Sequence, residues 1–249
     1  MINTLIVGYG KMGKMIVENI DNIGGRVKAI CDRNIPEYNT SIDEMNLSEI
    51  DVAIEFTNPE SAFNNVQSLL RKEIPVVTGT TGWFDRIKEL KKEFADKPYT
   101  LVYGANFSVG MNIFYEIIEN ATKLFNQTNL YDVYGLESHH NKKADSPSGT
   151  ARVIADIILR NMSNKDKAVY DLNNTPIKEN EFNFASIRAG SVVGYHEIGF
   201  DSDFDEIKLS HNVNSRKGFA IGALLAAKWA VGKREGMRDF KSIISEIRN

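Results

Sequence analysis

The residues best suited to chemistry stand together in one stretch, Glu137-Ser138-His139-His140-Asn141-Lys142-Lys143-Ala144-Asp145-Ser146-Pro147-Ser148-Gly149-Thr150. Two of the chain's four histidines are adjacent there, two lysines follow, and a Ser-Gly-Thr helix start closes the run. Histidine titrates near neutrality and can donate a proton there. Lys143, together with the N–H groups that a helix start leaves unpaired at Gly149 and Thr150, makes a local anion trap suited to a carboxylate. As a metal site the stretch is poor, because adjacent histidines on a strand face opposite ways and no third ligand is nearby. The competing reading is a solvated polar loop that leads into an ordinary capped helix.

A second constellation opens the chain. Gly8-Tyr9-Gly10-Lys11-Met12-Gly13 reads G-x-G-x-x-G, follows an apolar strand and begins a helix. Glycines there permit a tight turn and close approach of backbone to a pyrophosphate at the helix N-terminus. Asp32, at the end of the next strand, is placed to accept ribose hydroxyls, while Arg33 beside it could pair with a 2′-phosphate, so NADH and NADPH both stay open. Phe56-Thr57-Asn58-Pro59, Gly79-Thr80-Thr81-Gly82 and Ala105-Asn106-Phe107-Ser108 end later strands and would face the same crevice, although turn chemistry alone also explains them.

The elements that must position these residues follow from hydrophobic periodicity. Strands are expected at Asn3–Val7, Val27–Cys31, 50–56, 74–78 and Thr100–Tyr103, alternating with helices at 11–22, 59–72 and 84–94. The segment 34–48 is polar and weakly patterned and reads as a loop with at most a short helix. That order implies a doubly wound parallel sheet. Beyond Phe107 the pattern changes to a long helix (109–125), a strand (130–136), a helix (148–161) and three strands (182–188, 191–199, 206–212) joined by short turns, which indicates a second α+β domain on a mixed sheet. Two final helical patterns, 218–231 and 240–247, pack most economically on the first domain. The expected division is therefore 1–107 plus 217–249 for a dinucleotide-binding domain and 108–216 for a substrate-binding and oligomerisation domain.

Composition narrows the function classes. A chain of 249 residues with 42% hydrophobic and 25% charged residues has the make-up of a soluble globular protein. Thirty basic against 33 acidic side chains give a net charge of −3, so no basic field exists to hold a nucleic acid or an anionic membrane. The single cysteine, Cys31, forms no internal disulfide and suits a reducing compartment, and the apolar start Leu5-Ile6-Val7 is broken at once by glycines, so a cytoplasmic protein is expected.

Taken together the motifs resemble the 4-hydroxy-tetrahydrodipicolinate reductase (dihydrodipicolinate reductase) family. The most specific part is Glu137 to Ala151, which is similar to the family's E-x-H-H-x-x-K-x-D-x-P-S-G-T-A stretch. The glycine turn, Gly79-Thr80-Thr81-Gly82, Ala105 to Gly110, Arg188-Ala189-Gly190 and Val193-Gly194 follow in family order. The resemblance implies a Rossmann cofactor domain, NADH or NADPH as cofactor, a small dicarboxylate substrate, a homotetramer built by the second domain, and no metal. It makes His139 the general acid, Lys143 a charge-stabilising residue, and His140, Gly149 and Thr150 contacts to the substrate carboxylates. The chain departs from the family in its plain G-x-G-x-x-G, where many members have one more residue, so nucleotide preference does not transfer. Tyr195 also stands before His196 where the family often has Glu. Other enzymes of the same build, such as aspartate or homoserine dehydrogenases, and a non-catalytic NAD(H)-binding sensor are the alternatives. The histidine–lysine constellation discriminates against both.

Overall fold

The computed structural model describes residues 1–172 and 174–247. In chain order the elements are β1 (Ile2–Val7), α1 (Lys11–Val17), β2 (Gly25–Cys31), β3 (Val52–Glu55), α2 (Pro59–Arg71), β4 (Val76–Thr78), α3 (Ile87–Glu93), β5 (Thr100–Tyr103), α4 (Val109–Thr128), β6 (Asp132–His139), α5 (Gly149–Asn161), β7 (Lys167–Val169), β8 (Glu181–Arg188), β9 (Tyr195–Asp201), β10 (Glu206–Asn212), α6 (Lys217–Ala230), β11 (Gly236–Asp239) and α7 (Phe240–Ile243). They form two compact units: Met1–Val109 joined by the segment from Lys217 on, and Gly110–Arg216.

The first unit is a six-stranded parallel sheet in the order β2-β1-β3-β4-β5-β11. Its central strands are buried on both faces: Leu5, Ile6, Val52, Ala53 and Ile54 are all 0% exposed. Such unbroken apolar runs are what a doubly wound sheet demands. The order reverses between β1 and β3, and in open sheets of this Rossmann type that switch point is where ligands bind. α2 begins as its sequence predicts, with Pro59 at its first position and the Asn58 side chain accepting from the Ser61 N–H at 3.0 Å. Glycine is required in α6, where a Cβ on Gly222 would stand 1.7 Å from the Phe107 carbonyl oxygen.

Three expectations in this unit need correction. α1 stops at Val17 and a 3₁₀ turn covers Ile20–Ile23, because the Asn19 amide bonds back to the Met15 carbonyl and Gly24 turns the chain at φ +65°. The helix expected over 84–94 divides into a 3₁₀ turn, Phe84–Arg86, and the shorter α3. β11 was not expected at all: Gly236–Asp239 carries little apolar pattern, and it pairs with β5 as a parallel edge strand, so the C-terminal segment completes the sheet.

The second unit is a five-stranded mixed sheet, β10-β9-β6-β8-β7, with β6–β8 and β8–β7 parallel and the other pairs antiparallel. Its core is formed by Ile118, Ile154, Ile158, Phe184, Ile198 and Phe200, all 0% exposed. β6 runs past the expected 130–136 to His139, which carries Glu137 and His139 into the sheet on one face. β9 starts at Tyr195 rather than at Ser191, because Gly190 takes φ +50° and the Gly194 carbonyl accepts from Val213 at 2.8 Å, making a turn of the intervening residues. The short edge strand β7 gave no sequence signal.

Candidate active site

In the first unit the glycine turn is shaped by close backbone contacts. Gly8 adopts φ +93°, and a Cβ there would meet the Phe56 carbonyl oxygen at 2.1 Å; one on Gly13 would meet the Gly8 oxygen at 2.0 Å. Gly10 is different, since a Cβ would touch nothing within 4 Å. It borders a cavity of about 540 Å³ lined also by Gly8, Asp32, Arg33, Phe56, Thr57 and Ser61. The Asp32 carboxylate accepts from the Tyr9 N–H at 2.7 Å and the Asn34 N–H at 2.8 Å, so it clamps the turn and keeps lone pairs for sugar hydroxyls. Arg33 also lines an adjoining polar cavity of about 470 Å³ with Ser41, Asn65 and Arg71.

Not every expected nucleotide contact lines the cleft. Lys11 is exposed at the start of α1, Met12 packs against the apolar core, and Phe107 is buried against Phe240 and Phe56. Gly79 leaves room for the Phe56 ring, which a Cβ would meet at 2.1 Å, while Thr81 and Ala105 are exposed. Asn106 accepts from the Ser108 N–H at 2.8 Å and shapes the turn before α4.

In the second unit the organising group is one that the sequence did not single out. Glu137 is 0% exposed, and its Oε1 accepts from the Ser148 N–H at 2.9 Å, the Ser186 hydroxyl at 2.8 Å and Nη2 of Arg188 at 2.8 Å. Its Oε2 lies 3.5 Å from Nδ1 of His139 and 3.6 Å from Nε2 of His196. Burial pushes the Glu137 carboxyl up, but hydrogen bonds from His196, Ser148 and Arg188 together outweigh it and hold the group far below its ordinary value. Burial is also the main force on His139, lowering it to about 4 against the pull of the Glu137 carboxylate; His196, Lys143 and Arg188 lower it further. His139 is therefore neutral at pH 7 in the free protein.

The expectation that no third ligand lies near His139 fails. Glu137, His139 and His196 bring their ligand atoms within 4.8 Å of one another. His196 is distant in sequence and reaches the trio because β9 pairs with β6 in a register that sets it opposite Glu137. Arg188 already neutralises that carboxylate, so the cluster reads as an anion holding a guanidinium and two imidazoles.

Around this core Lys143 binds both oxygens of Asp145 at 2.7 and 2.8 Å, and the Asp145 carbonyl accepts from Arg188 at 2.6 Å. His140 is half-buried beyond the strand end, with Nη2 of Arg216 3.4 Å from its Nε2. Ser148 caps α5 by accepting from the Ala151 N–H at 3.1 Å. Gly149 and Thr150 then occupy the first helical positions, whose N–H groups have no intrahelical acceptor. The Gly149 Cβ position is open, and Gly194 holds no side chain where a Cβ would come 3.2 Å from Nε2 of His139. Three cationic side chains, Lys143, Arg188 and Arg216, thus gather with a helix N-terminus, three imidazoles and the carboxylates of Glu137 and Asp145 on one end of the sheet.

A cleft of about 540 Å³ at the switch point of a doubly wound sheet, bordered by a G-x-G-x-x-G turn and an acid at the end of the second strand, is the dinucleotide-binding arrangement used by nicotinamide-dependent oxidoreductases, and the chain is of that class. The family profile described as dihydrodipicolinate reductase, N-terminus, matches residues 2–107, and its C-terminal counterpart matches residues 110–244. A 4-hydroxy-tetrahydrodipicolinate reductase from Christiangramia forsetii is 33% identical over 246 residues, 99% of each chain. One from Chromobacterium violaceum is 33% identical, covering 97% of this chain and 98% of its own. A dipicolinate-bound dihydrodipicolinate reductase from Paenisporosarcina shares the fold, with a TM-score of 0.76 at 20% identity over 98% of this chain and 99% of that one. The chain belongs to the dihydrodipicolinate reductase family, whose members are NAD(P)H-dependent oxidoreductases.

Proposed function

We propose that the protein reduces 4-hydroxy-tetrahydrodipicolinate to tetrahydrodipicolinate with NADH or NADPH, in the diaminopimelate route to lysine. The observation that carries this reading is the cluster around His139, where Lys143, held by the exposed Asp145, and Arg188 meet the α5 N-terminus, an arrangement suited to a small dicarboxylate. In this reading Lys143 exchanges Asp145 for a substrate carboxylate, and His140, Gly149 and Thr150 hold the carboxylates in place. Loss of the 4-hydroxyl as water turns the substrate into a conjugated C=C–C=N system; hydride addition to it moves negative charge toward the nitrogen-bearing end, and Lys143 stabilises it. His139, neutral in the free protein, gains its proton when the dianion arrives, and donates it from the outward nitrogen, Nε2. The nicotinamide, when bound, supplies the hydride.

The nucleotide occupies the cleft beside Gly8, Tyr9, Gly10 and Gly13. Asp32 serves the ribose diol and Arg33 a 2′-phosphate, which supports use of both nucleotides. The unit Met1–Val109 with the C-terminal segment is the cofactor domain, and Gly110–Arg216 binds substrate and assembles a homotetramer, consistent with the exposed Ile187, Phe204 and Ile207 on that unit. No described helix is long and apolar enough to cross a membrane, and a cytoplasmic location fits the reaction. Pyridine-2,6-dicarboxylate tests the pocket directly: it should compete with substrate while benzoate hardly binds. Absence of both inhibition and thermal protection by the dicarboxylate at saturating NADH would refute the reading.

A further inference from the structure

Glu55 is the last residue of β3, at the switch point of the parallel sheet, and is 0% exposed. A carboxylate so placed needs compensation, and four donors supply it, none of them a cation. The Thr57 N–H donates to Oε1 at 3.0 Å, the Thr80 hydroxyl to the same oxygen at 3.0 Å, and the Thr78 hydroxyl to Oε2 at 2.5 Å. The Thr57 hydroxyl makes a further, very short bond to Oε1. The Thr57 N–H also reaches the Thr80 hydroxyl oxygen at 2.8 Å. One side chain thus ties the loop after β3 to the loop after β4.

The direction of these bonds decides what the cleft can recognise. Each hydroxyl has one proton, and an ionised Glu55 takes those of Thr57, Thr78 and Thr80. The Thr57 oxygen then accepts, from the Asn65 amide at 3.4 Å and from the Ser61 hydroxyl at 3.0 Å, whose single proton is shared with Asn58 Oδ1 at 2.9 Å, and these residues line the nucleotide cavity. The buried charge is relayed outward as lone pairs. The Ser61 oxygen, whose proton is directed inward, keeps lone pairs for a group that donates, such as a sugar hydroxyl.

We propose that Glu55 is a positioning residue of the nucleotide cleft, whose carboxylate fixes the Thr57 and Thr80 loops and turns the Thr57–Ser61 hydroxyl chain to accept from a ribose hydroxyl of the dinucleotide. This deepens, and rests on, the assignment of that cleft to NAD(P)H. Burial drives the Glu55 carboxyl upward, opposed by the threonine hydrogen bonds.

The test measures NADH dissociation constants by fluorescence for the parent, Glu55→Gln, Thr57→Val and the double variant. A glutamine amide must donate where the carboxylate accepted, so at least one threonine hydroxyl loses its acceptor and the tie between the two loops is broken on that side. Glu55→Gln should weaken NADH roughly tenfold, raise the KM for NADH, and leave kcat within about twofold. Because both changes act through the Thr57 hydroxyl, the double variant should lose little beyond the larger single loss. Unchanged NADH affinity in Glu55→Gln, or two losses that multiply in full, overturns the proposal. Should Glu55→Gln fail to fold, Thr57→Val alone must weaken NADH about fivefold, and parental affinity in it is equally fatal. Gly10→Leu separates the two failures, since its side chain projects into open cavity and should abolish NADH binding without unfolding. If Gly10→Leu binds NADH as the parent does, the cleft assignment itself is wrong; if it loses binding while Glu55→Gln does not, only the role of Glu55 is.

Discussion

Binding of a dicarboxylate should load a proton onto His139, and the size of that effect follows from the site. His139 is held at about 4 in the free protein, with burial as the main cause. Raising it to near 7 takes about three pKa units, or roughly 4 kcal/mol of interaction that favours the imidazolium. A single carboxylate about 4 Å from the ring, at an effective dielectric of about 20, supplies about 4 kcal/mol. One ligand carboxylate within reach of Nε2 is therefore sufficient, and its pairing with Lys143 removes one of the charges that hold His139 down. Between the free and bound values the complex contains one more proton than its parts, so affinity falls as pH rises, by up to tenfold per unit. Pyridine-2,6-dicarboxylate should bind about fifteenfold more weakly at pH 7 than at pH 5.5. Isothermal titration near pH 6 in two buffers of different ionisation heat should show uptake approaching one proton per site. In His139→Gln both the uptake and the pH slope should vanish while NADH still binds. A pH-independent affinity with no buffer dependence in the parent would refute this charging of His139.

Four further substitutions probe the two sites. Lys143→Ala should lower kcat/KM by roughly a hundredfold and raise KM, whereas Asp145→Asn, which frees Lys143 from its internal partner, should tighten dicarboxylate binding severalfold in titration. Glu137→Gln should cost roughly 3 kcal/mol in urea unfolding at pH 7, because Arg188 loses a buried counter-charge. The folded carboxyl lies below its unfolded value, so its contribution is present above about pH 4.3 and is lost as pH falls through the folded value; the gap between parent and variant should close in acid. Arg33→Ala should raise KM for NADPH more than for NADH in steady-state assays, and equal effects would remove Arg33 from phosphate recognition.

The first unit was legible because its signals are local. Apolar runs ending in glycine, and Asn58-Pro59 opening α2, each report their own element without help from distant residues. β11 was not, because an edge strand needs only backbone pairing and Gly236–Asp239 carries no alternation. In the second unit the motif from Glu137 to Thr150 gave the residues, but not the arrangement. Glu137 and His139 share a face by the two-residue period of a strand, which the sequence could have shown had β6 been carried past Leu136. His196 and Arg188 could not be placed, since they reach Glu137 through the registers of β9 and β8 against β6. Glu55 was hidden for a similar reason: an acid at the end of an apolar run reads as the start of a loop, and only pairing with β4 brings Thr78 and Thr80 to it.

The reaction is tested most directly by supplying freshly made 4-hydroxy-tetrahydrodipicolinate, the dihydrodipicolinate synthase product, with NADH or NADPH and following nucleotide absorbance and product mass together. Nucleotide oxidation should match tetrahydrodipicolinate formed, mole for mole, with at least one nucleotide, and His139→Gln should slow it by about a hundredfold while binding NADH normally. A protein that binds NADH and pyridine-2,6-dicarboxylate yet oxidises neither nucleotide with this substrate, or that oxidises them only with aspartate or homoserine chemistry, would contradict it.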